Sequence, residues 1–142
     1  MAYDPNNIFA KILRGEVPSH KVYEDADTLA FMDIMPQAEG HTLVVPKRAG
    51  EDVFTTPPES VAAAIRTAQR VARAVKQVFS PPGIMLAQLN GAAAGQSVFH
   101  LHFHVIPRYA GKDLGIHAAA QAEPAVLAEH AARVRAALTT MA

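Results

Sequence analysis

The hydrophobic positions of this chain alternate between two periods, and the changes of period mark its elements. Ile8, Phe9, Ile12 and Leu13 recur at helical spacing after Asp4-Pro5. That predicts a short first helix with Asp4 as N-cap, Pro5 in the first turn and Gly15 as its stop. Period two follows: Lys21-Val22-Tyr23-Glu24 and Thr28-Leu29-Ala30-Phe31-Met32-Asp33 flank Asp25-Ala26-Asp27, a hairpin pattern. Pro36 breaks the second strand. Gly40-His41 opens a third, Thr42 to Val45, which Pro46 ends. Thr56, Pro57 and Glu59 read as N-cap, first helical position and capping box of a long helix. Its apolar face is Val61, Ala64, Ile65, Ala68, Val71, Ala72, Val75 and Phe79, and Arg66, Arg70, Arg73 and Gln77 form a solvated stripe opposite. Pro81-Pro82-Gly83 stops it. Ile84 to Leu89 is a fourth strand, and Asn90 to Gly95 a tight loop of small residues. A fifth strand carries His100, His102 and His104. Tyr109 to Glu123 has no regular period, and Pro124 to Leu138 reads as a final helix. Short turns between strands and one long central helix predict an α+β fold on a five-stranded antiparallel sheet.

The fifth strand changes the picture from architecture to chemistry. His100, His102 and His104 alternate with Leu101, Phe103 and Val105, so three imidazoles are expected on one face. Lys, Glu or Thr would solvate a strand more simply. Imidazole titrates near neutral pH, attacks phosphorus and binds metal. Along a regular strand the outer two histidines stand about 13 Å apart, too far to share one ion. Two neighbours with His41 or Asp33 could share one. A central nucleophile with orienting neighbours suits the spacing better. The loop before it adds donors: Gly91 and Gly95 allow close backbone approach, and Gln96 and Ser97 carry polar hydrogens.

Composition narrows the class. A chain of 142 residues suits one domain, 1–142, and half of the residues are apolar, enough for a sizeable core. Formal net charge is zero, so composition offers no case for nucleic acid or a membrane surface as partner. There is no cysteine, which excludes disulfides, thiol nucleophiles and thiolate metal sites. No leader pattern or membrane-spanning run is evident, so a cytoplasmic location is the expectation.

The run His100-Leu101-His102-Phe103-His104-Val105-Ile106, with Gly95-Gln96-Ser97 before it, resembles the histidine-triad (HIT) family. Asn90-Gly91, the segment Asp33 to Lys47 and Ile8 to Ile12 fall in the family's order, so the resemblance covers a core of about 6–109, with a tail and helix at 110–142. The C-terminal helix resembles that of bacterial HIT-like proteins. The resemblance implies an antiparallel α+β domain, usually a homodimer with one continuous sheet, that needs no cofactor and binds a purine nucleotide such as AMP or an adenosine conjugate. It implies hydrolysis or transfer at the α-phosphate of a nucleoside phosphoramidate or dinucleoside polyphosphate. His102 corresponds to a nucleophile that becomes nucleotidylated. His104 and His100 correspond to its phosphate-binding and orienting neighbours, and His41 to a supporting fourth histidine. Ser97 and Gln96 correspond to groups contacting phosphate and leaving group, and Asn90 to one facing the phosphate. Asp33 corresponds to a ribose acceptor, and Ile34, Phe9, Ile12, Phe31 and Leu43 to a base pocket.

Simpler assignments stand beside these. Asp33 also suits a strand-end turn, and Phe9, Ile12, Phe31 and Leu43 also suit plain core packing. His20, His117 and His130 are expected at the surface. Many bacterial relatives hold structural zinc with two cysteines before the first helix's Lys-Ile, a histidine after Pro-Lys and one triad histidine. The matching positions here are Asn7, Ala10 and Ala49, so no metal is expected. Two other classes compete: a nucleotide-binding sensor or scaffold without turnover, and a metal-dependent hydrolase using two of the histidines.

Overall fold

In a computed structural model, residues 3–111 and 121–141 are described. The elements follow the order α1 (Ile8–Leu13), β1 (Lys21–Glu24), β2 (Thr28–Met32), β3 (Thr42–Pro46), α2 (Pro58–Phe79), β4 (Gly83–Ala87), a 3-10 turn (Ala92–Ala94), β5 (Phe103–Arg108) and α3 (Pro124–Thr140). The strands form one antiparallel sheet in the order β1-β2-β3-β5-β4, as expected for α+β. No helix among the described residues is long and apolar enough to cross a membrane.

The sheet is covered on both faces. Ala30, Met32, Val44 and Val105 point to the side where α2 and α3 pack with Val71, Val75, Leu127 and Val134. Each fully buried aliphatic side chain there contributes about 1.5–3 kcal/mol. On the other face, Leu29, Phe31, Leu43 and Val45 form a smaller cluster with Phe9 of α1. Phe31 pairs with Leu43 and Leu43 with His104, so strand pleating delivers His104 to this second face.

Several boundaries differ from expectation, each for a local reason. Asn7, not Asp4, caps α1, accepting from the Ala10 amide at 2.9 Å. Gly15 does end that helix, with Gly15 N–H donating to Ile12 O and Glu16 N–H to Lys11 O. Pro57 occupies the cap position of α2 without a side-chain cap bond. Thr56 is buried and works sideways: its hydroxyl accepts from Gly50 N–H at 3.0 Å and donates to Asp52 O at 2.7 Å. Ile65, read as part of the buried stripe of α2, is exposed, whereas the arginine stripe is solvated as expected. β4 stops at Ala87 because the Gln88 and Asn90 amides pair with each other at 2.8 and 2.9 Å.

The largest difference concerns the histidines. Only His104 lies on a strand, because β5 begins at Phe103. Continuing the β3–β5 ladder would bring Leu101 opposite Pro46, which has no N–H, and the Pro46 carbonyl is taken by the His100 ring. Leu101 N–H donates instead to Gly50 O at 3.0 Å. The alternation of sides nevertheless persists: Leu101 is fully buried, and all three histidines stand on the α1 side of the sheet.

Candidate active site

The site begins with a polar loop that returns to its own start. After β2, Asp33 N–H donates to His41 O and His41 N–H to Ala38 O, which sets His41 beside Asp33. The Asp33 carboxylate accepts from Met35 N–H at 2.8 Å and lies 3.5 Å from His41 Nε2. His41 Nε2 stands 3.0 Å from His104 Nδ1. The His104 ring faces His102 at 4.9 Å, and His102 meets the edge of Phe9 at 4.8 Å.

The hydrogen bonds assign each imidazole a tautomer. Gln37 N–H donates to His41 Nδ1 at 3.0 Å, so the single proton of a neutral His41 sits on Nε2 and is donated to His104 Nδ1. His104 then carries its proton on Nε2, which has no partner among the described residues. The His100 carbonyl accepts from His102 Nδ1 at 2.8 Å, which leaves His102 Nε2 as an unprotonated lone pair. The Pro46 carbonyl accepts from His100 Nε2 at 2.8 Å, and the Tyr3 hydroxyl donates to His100 Nδ1 at 2.7 Å.

Burial keeps all four rings neutral. Desolvation lowers His41 to about 3, with His104 and His102 adding repulsion. Desolvation also lowers His102 to about 4; the His100 carbonyl opposes the shift, and His104 and His100 add to it. His104 and His100 are lowered by the same desolvation. Asp33 is raised by burial against the bond from Met35. The close Asp33–His41 approach is therefore a contact in which burial disfavours charge on both partners, not a strong ion pair.

Other residues expected at the site divide by what they touch. Gln96 is buried; its carbonyl accepts from Gly91 N–H at 2.7 Å, and its amide donates to Glu51 O at 2.6 Å and Val98 O at 3.0 Å. Its amide thus ties the loop that precedes the histidines to the loop between β3 and α2. Gly91 and Gly95 flank the 3-10 turn with φ of 91° and 101°, a region that favours glycine. The Asn90 side-chain oxygen Oδ1 accepts from Val53 N–H at 2.8 Å, tying this loop to the one after β3. Ser97 is exposed. Phe9, Phe31 and Leu43 are core residues under the site, Ile12 is partly buried beside them, and Ile34 is half exposed at the rim. His130, expected at the surface, is buried against the Phe79 ring at 4.9 Å, because Leu127, Ala131 and Val134 turn that side of α3 inward. His20 is half-buried, and His117 lies outside the described residues. Tyr3, Gln37 and the Pro46 carbonyl belong to the site without any signal in the sequence pattern, since each acts through a fold-dependent contact.

A cavity of about 190 Å³ lies beside His41, lined by Pro36, Glu39 and Gly40 and by Val126, Leu127 and His130 of α3. It adjoins the site only through His41, so His102 and His104 define the chemistry.

The donor sets were tested against metals. Asp33, His41 and His104 offer ligand atoms within 4.8 Å of one another. Gln37 N–H, however, puts the His41 proton on Nε2, the atom an ion there requires. At the zinc-like positions, Asn7 caps α1, Ala10 and Ala49 carry no donor side chain, and both His100 nitrogens are engaged. Neither set fits a metal ion.

Comparison with known proteins gives the family. Residues 14–111 match the model of the HIT domain. The chain belongs to the HIT domain family. It is 46% identical over 108 residues to the protein hit of Bacillus subtilis, covering 76% of this chain and 74% of that one. It is 41% identical over 101 residues to the adenylylsulfatase HINT3 of Arabidopsis thaliana, covering 71% of this chain and 51% of that protein. Among solved structures, a HIT-like protein from Bartonella henselae involved in cell-cycle regulation superposes with a TM-score of 0.89 at 48% identity, covering 96% of this chain and 99% of that one. A histidine triad nucleotide-binding protein from Sulfolobus tokodaii superposes with a TM-score of 0.84 at 27% identity, covering 92% and 91%.

Proposed function

We propose that this HIT protein is a nucleotide hydrolase or transferase that cleaves at the α-phosphate of a nucleoside phosphoramidate or dinucleoside polyphosphate through a nucleotidyl-histidine. The observation that carries this is the Nδ1 bond of His102 to the His100 carbonyl, which leaves Nε2 unprotonated and, among the described residues, without a partner. The nucleotide-binding and adenylylsulfatase relatives support the substrate class.

The steps follow from the tautomers. The His102 Nε2 lone pair attacks phosphorus, and the bond to the leaving nitrogen or oxygen breaks as that atom takes a proton from solvent water, a proton returned to solvent when water later attacks the adduct. The ring gains positive charge as the new bond forms, and the His100 carbonyl on Nδ1 stabilises it. The His104 Nε2–H, on the ring 4.9 Å from that of His102, donates to a phosphoryl oxygen. Water then attacks the adduct, releases the nucleoside monophosphate and restores neutral His102. Asp33 takes the ribose hydroxyls. A purine base lies against Ile12 and Ile34, above the floor of Phe9, Phe31 and Leu43. Ser97 meets the leaving group, and Gln96 and Asn90 keep the loop in shape. No step passes through a metal.

Intact-mass analysis of a quenched reaction with an adenosine phosphoramidate should show an added adenylyl group. The group should be missing in His102→Ala, and turnover should survive chelators. Nucleotide binding without monophosphate release across phosphoramidates and dinucleoside polyphosphates would leave a binding protein instead. Full activity in His102→Ala would remove the nucleophile assignment.

A further inference from the structure

We propose that Tyr3 is a positioning residue for the nucleophile, acting through His100. It rests on the assignment of His102 as the attacking group. Three hydrogen bonds make a continuous chain. The Tyr3 hydroxyl donates to His100 Nδ1 at 2.7 Å, His100 Nε2 donates to the Pro46 carbonyl at 2.8 Å, and His102 Nδ1 donates to the His100 carbonyl at 2.8 Å. A neutral imidazole carries one proton. With Tyr3 donating to Nδ1, that proton is confined to Nε2, where only the Pro46 carbonyl is available to receive it.

The consequence is a fixed ring and a fixed backbone. His100 is 1% exposed and held at both nitrogens, so its main chain cannot rotate without breaking two bonds. Its carbonyl is the group that keeps the His102 proton on Nδ1. Residues 100 to 102 lie outside the β ladder, so strand pairing does not supply this rigidity. The backbone bond from Leu101 N–H to Gly50 O supplies part of it, side-chain bonds to the His100 ring supply the rest, and Tyr3 provides the one that arrives from outside the sheet. The Tyr3 ring also packs on His100 at 5.8 Å and 60°. Removing the hydroxyl alone therefore separates the hydrogen bond from the packing.

The prediction concerns Tyr3→Phe. Without the donor, His100 Nδ1 opens to a second proton or to the other tautomer, and the hold on the His102 proton loosens. Proton–nitrogen correlation spectra of the imidazole rings near neutral pH should show His100 in the Nε2–H form and His102 in the Nδ1–H form in the parent protein. Tyr3→Phe should shift the nitrogen resonances of both rings. Turnover should fall about five-fold in kcat at unchanged KM, the scale of one hydrogen bond. A purely structural role for Tyr3 would lower the unfolding midpoint without moving those resonances. Unchanged resonances at His102 overturn the proposal, whether or not His100 moves. A chain lacking residues 1–3 should reproduce the Tyr3→Phe spectrum; a parent-like spectrum there counts against the proposal too. The spectra need no substrate. Absence of turnover in the parent protein would therefore defeat the catalytic reading alone, and the tautomer shift would still decide the relay.

Discussion

Three buried imidazoles and the half-buried His104 make this site, and their chemistry depends on where four protons sit. Three of the four are received by a named acceptor, and the fourth, on His104 Nε2, is left to act on a ligand. His104→Ala should therefore remove one preorganised donor and reduce kcat about 10²–10³-fold, measured by steady-state release of monophosphate. The same burial predicts a pH effect on stability. His41 is lowered to about 3 and His102 to about 4, and His100 and His104 move the same way. Below the ordinary imidazole value of about 6.5, the unfolded chain binds protons that the native state refuses, so stability rises with pH through the window from about 3 to 6.5. Asp33 opposes this from pH 3.8 upward, because its raised carboxyl holds a proton longer in the native state. Urea midpoints should be level above neutrality and fall as the pH drops from about 6.5 towards 4; a level profile there would contradict the neutral assignment. At this scale the sequence revealed the residue types and their spacing. It was silent on Tyr3, because nothing in three residues before a helix announces a contact with His100, 97 positions away.

Elements show how much patterning can and cannot carry. The long helix was legible from its apolar stripe, since amphipathic spacing is written into the chain whatever the fold. Its cap was misread, because Thr56 finds Gly50 and Asp52 as partners only once the loop between β3 and α2 has folded back. The histidine strand was misread for a similar reason. Its first part leaves the ladder at Pro46, and the Leu101 N–H bond to Gly50 O together with the His100 ring bonds holds it in place of strand pairing. The loop before it depends on Gln96, whose amide satisfies Gly91, Glu51 and Val98. Gln96→Leu strands those buried groups and should cost about 1–3 kcal/mol, read from urea unfolding. It should also slow turnover by loosening the loop beside His102. A variant as stable as its parent would show the loop to be held by its backbone alone.

For the whole molecule, the open question is assembly. β4 is an edge strand whose Leu86 is 44% exposed, and Ile65 on α2 is 39% exposed on the same side of the sheet. Pairing two β4 edges would cover both and continue the sheet through a two-fold axis. The expected result is a dimer in sedimentation analysis that Leu86→Lys converts to monomer; a parent chain that sediments as a monomer at micromolar concentration would contradict it. The sequence by itself determined the α+β class, the order of elements and the likeness to the HIT family. Period, capping residues and the triad with its glycine loop are properties of neighbours along the chain. Only the tertiary structure decided which nitrogen of each imidazole carries the proton. That choice is made by the carbonyl of His100, whose ring is held by Tyr3 and by Pro46, 54 positions away, and by Gln37 acting on His41. A proton in a buried site follows its nearest acceptor, and the nearest acceptor exists only after folding.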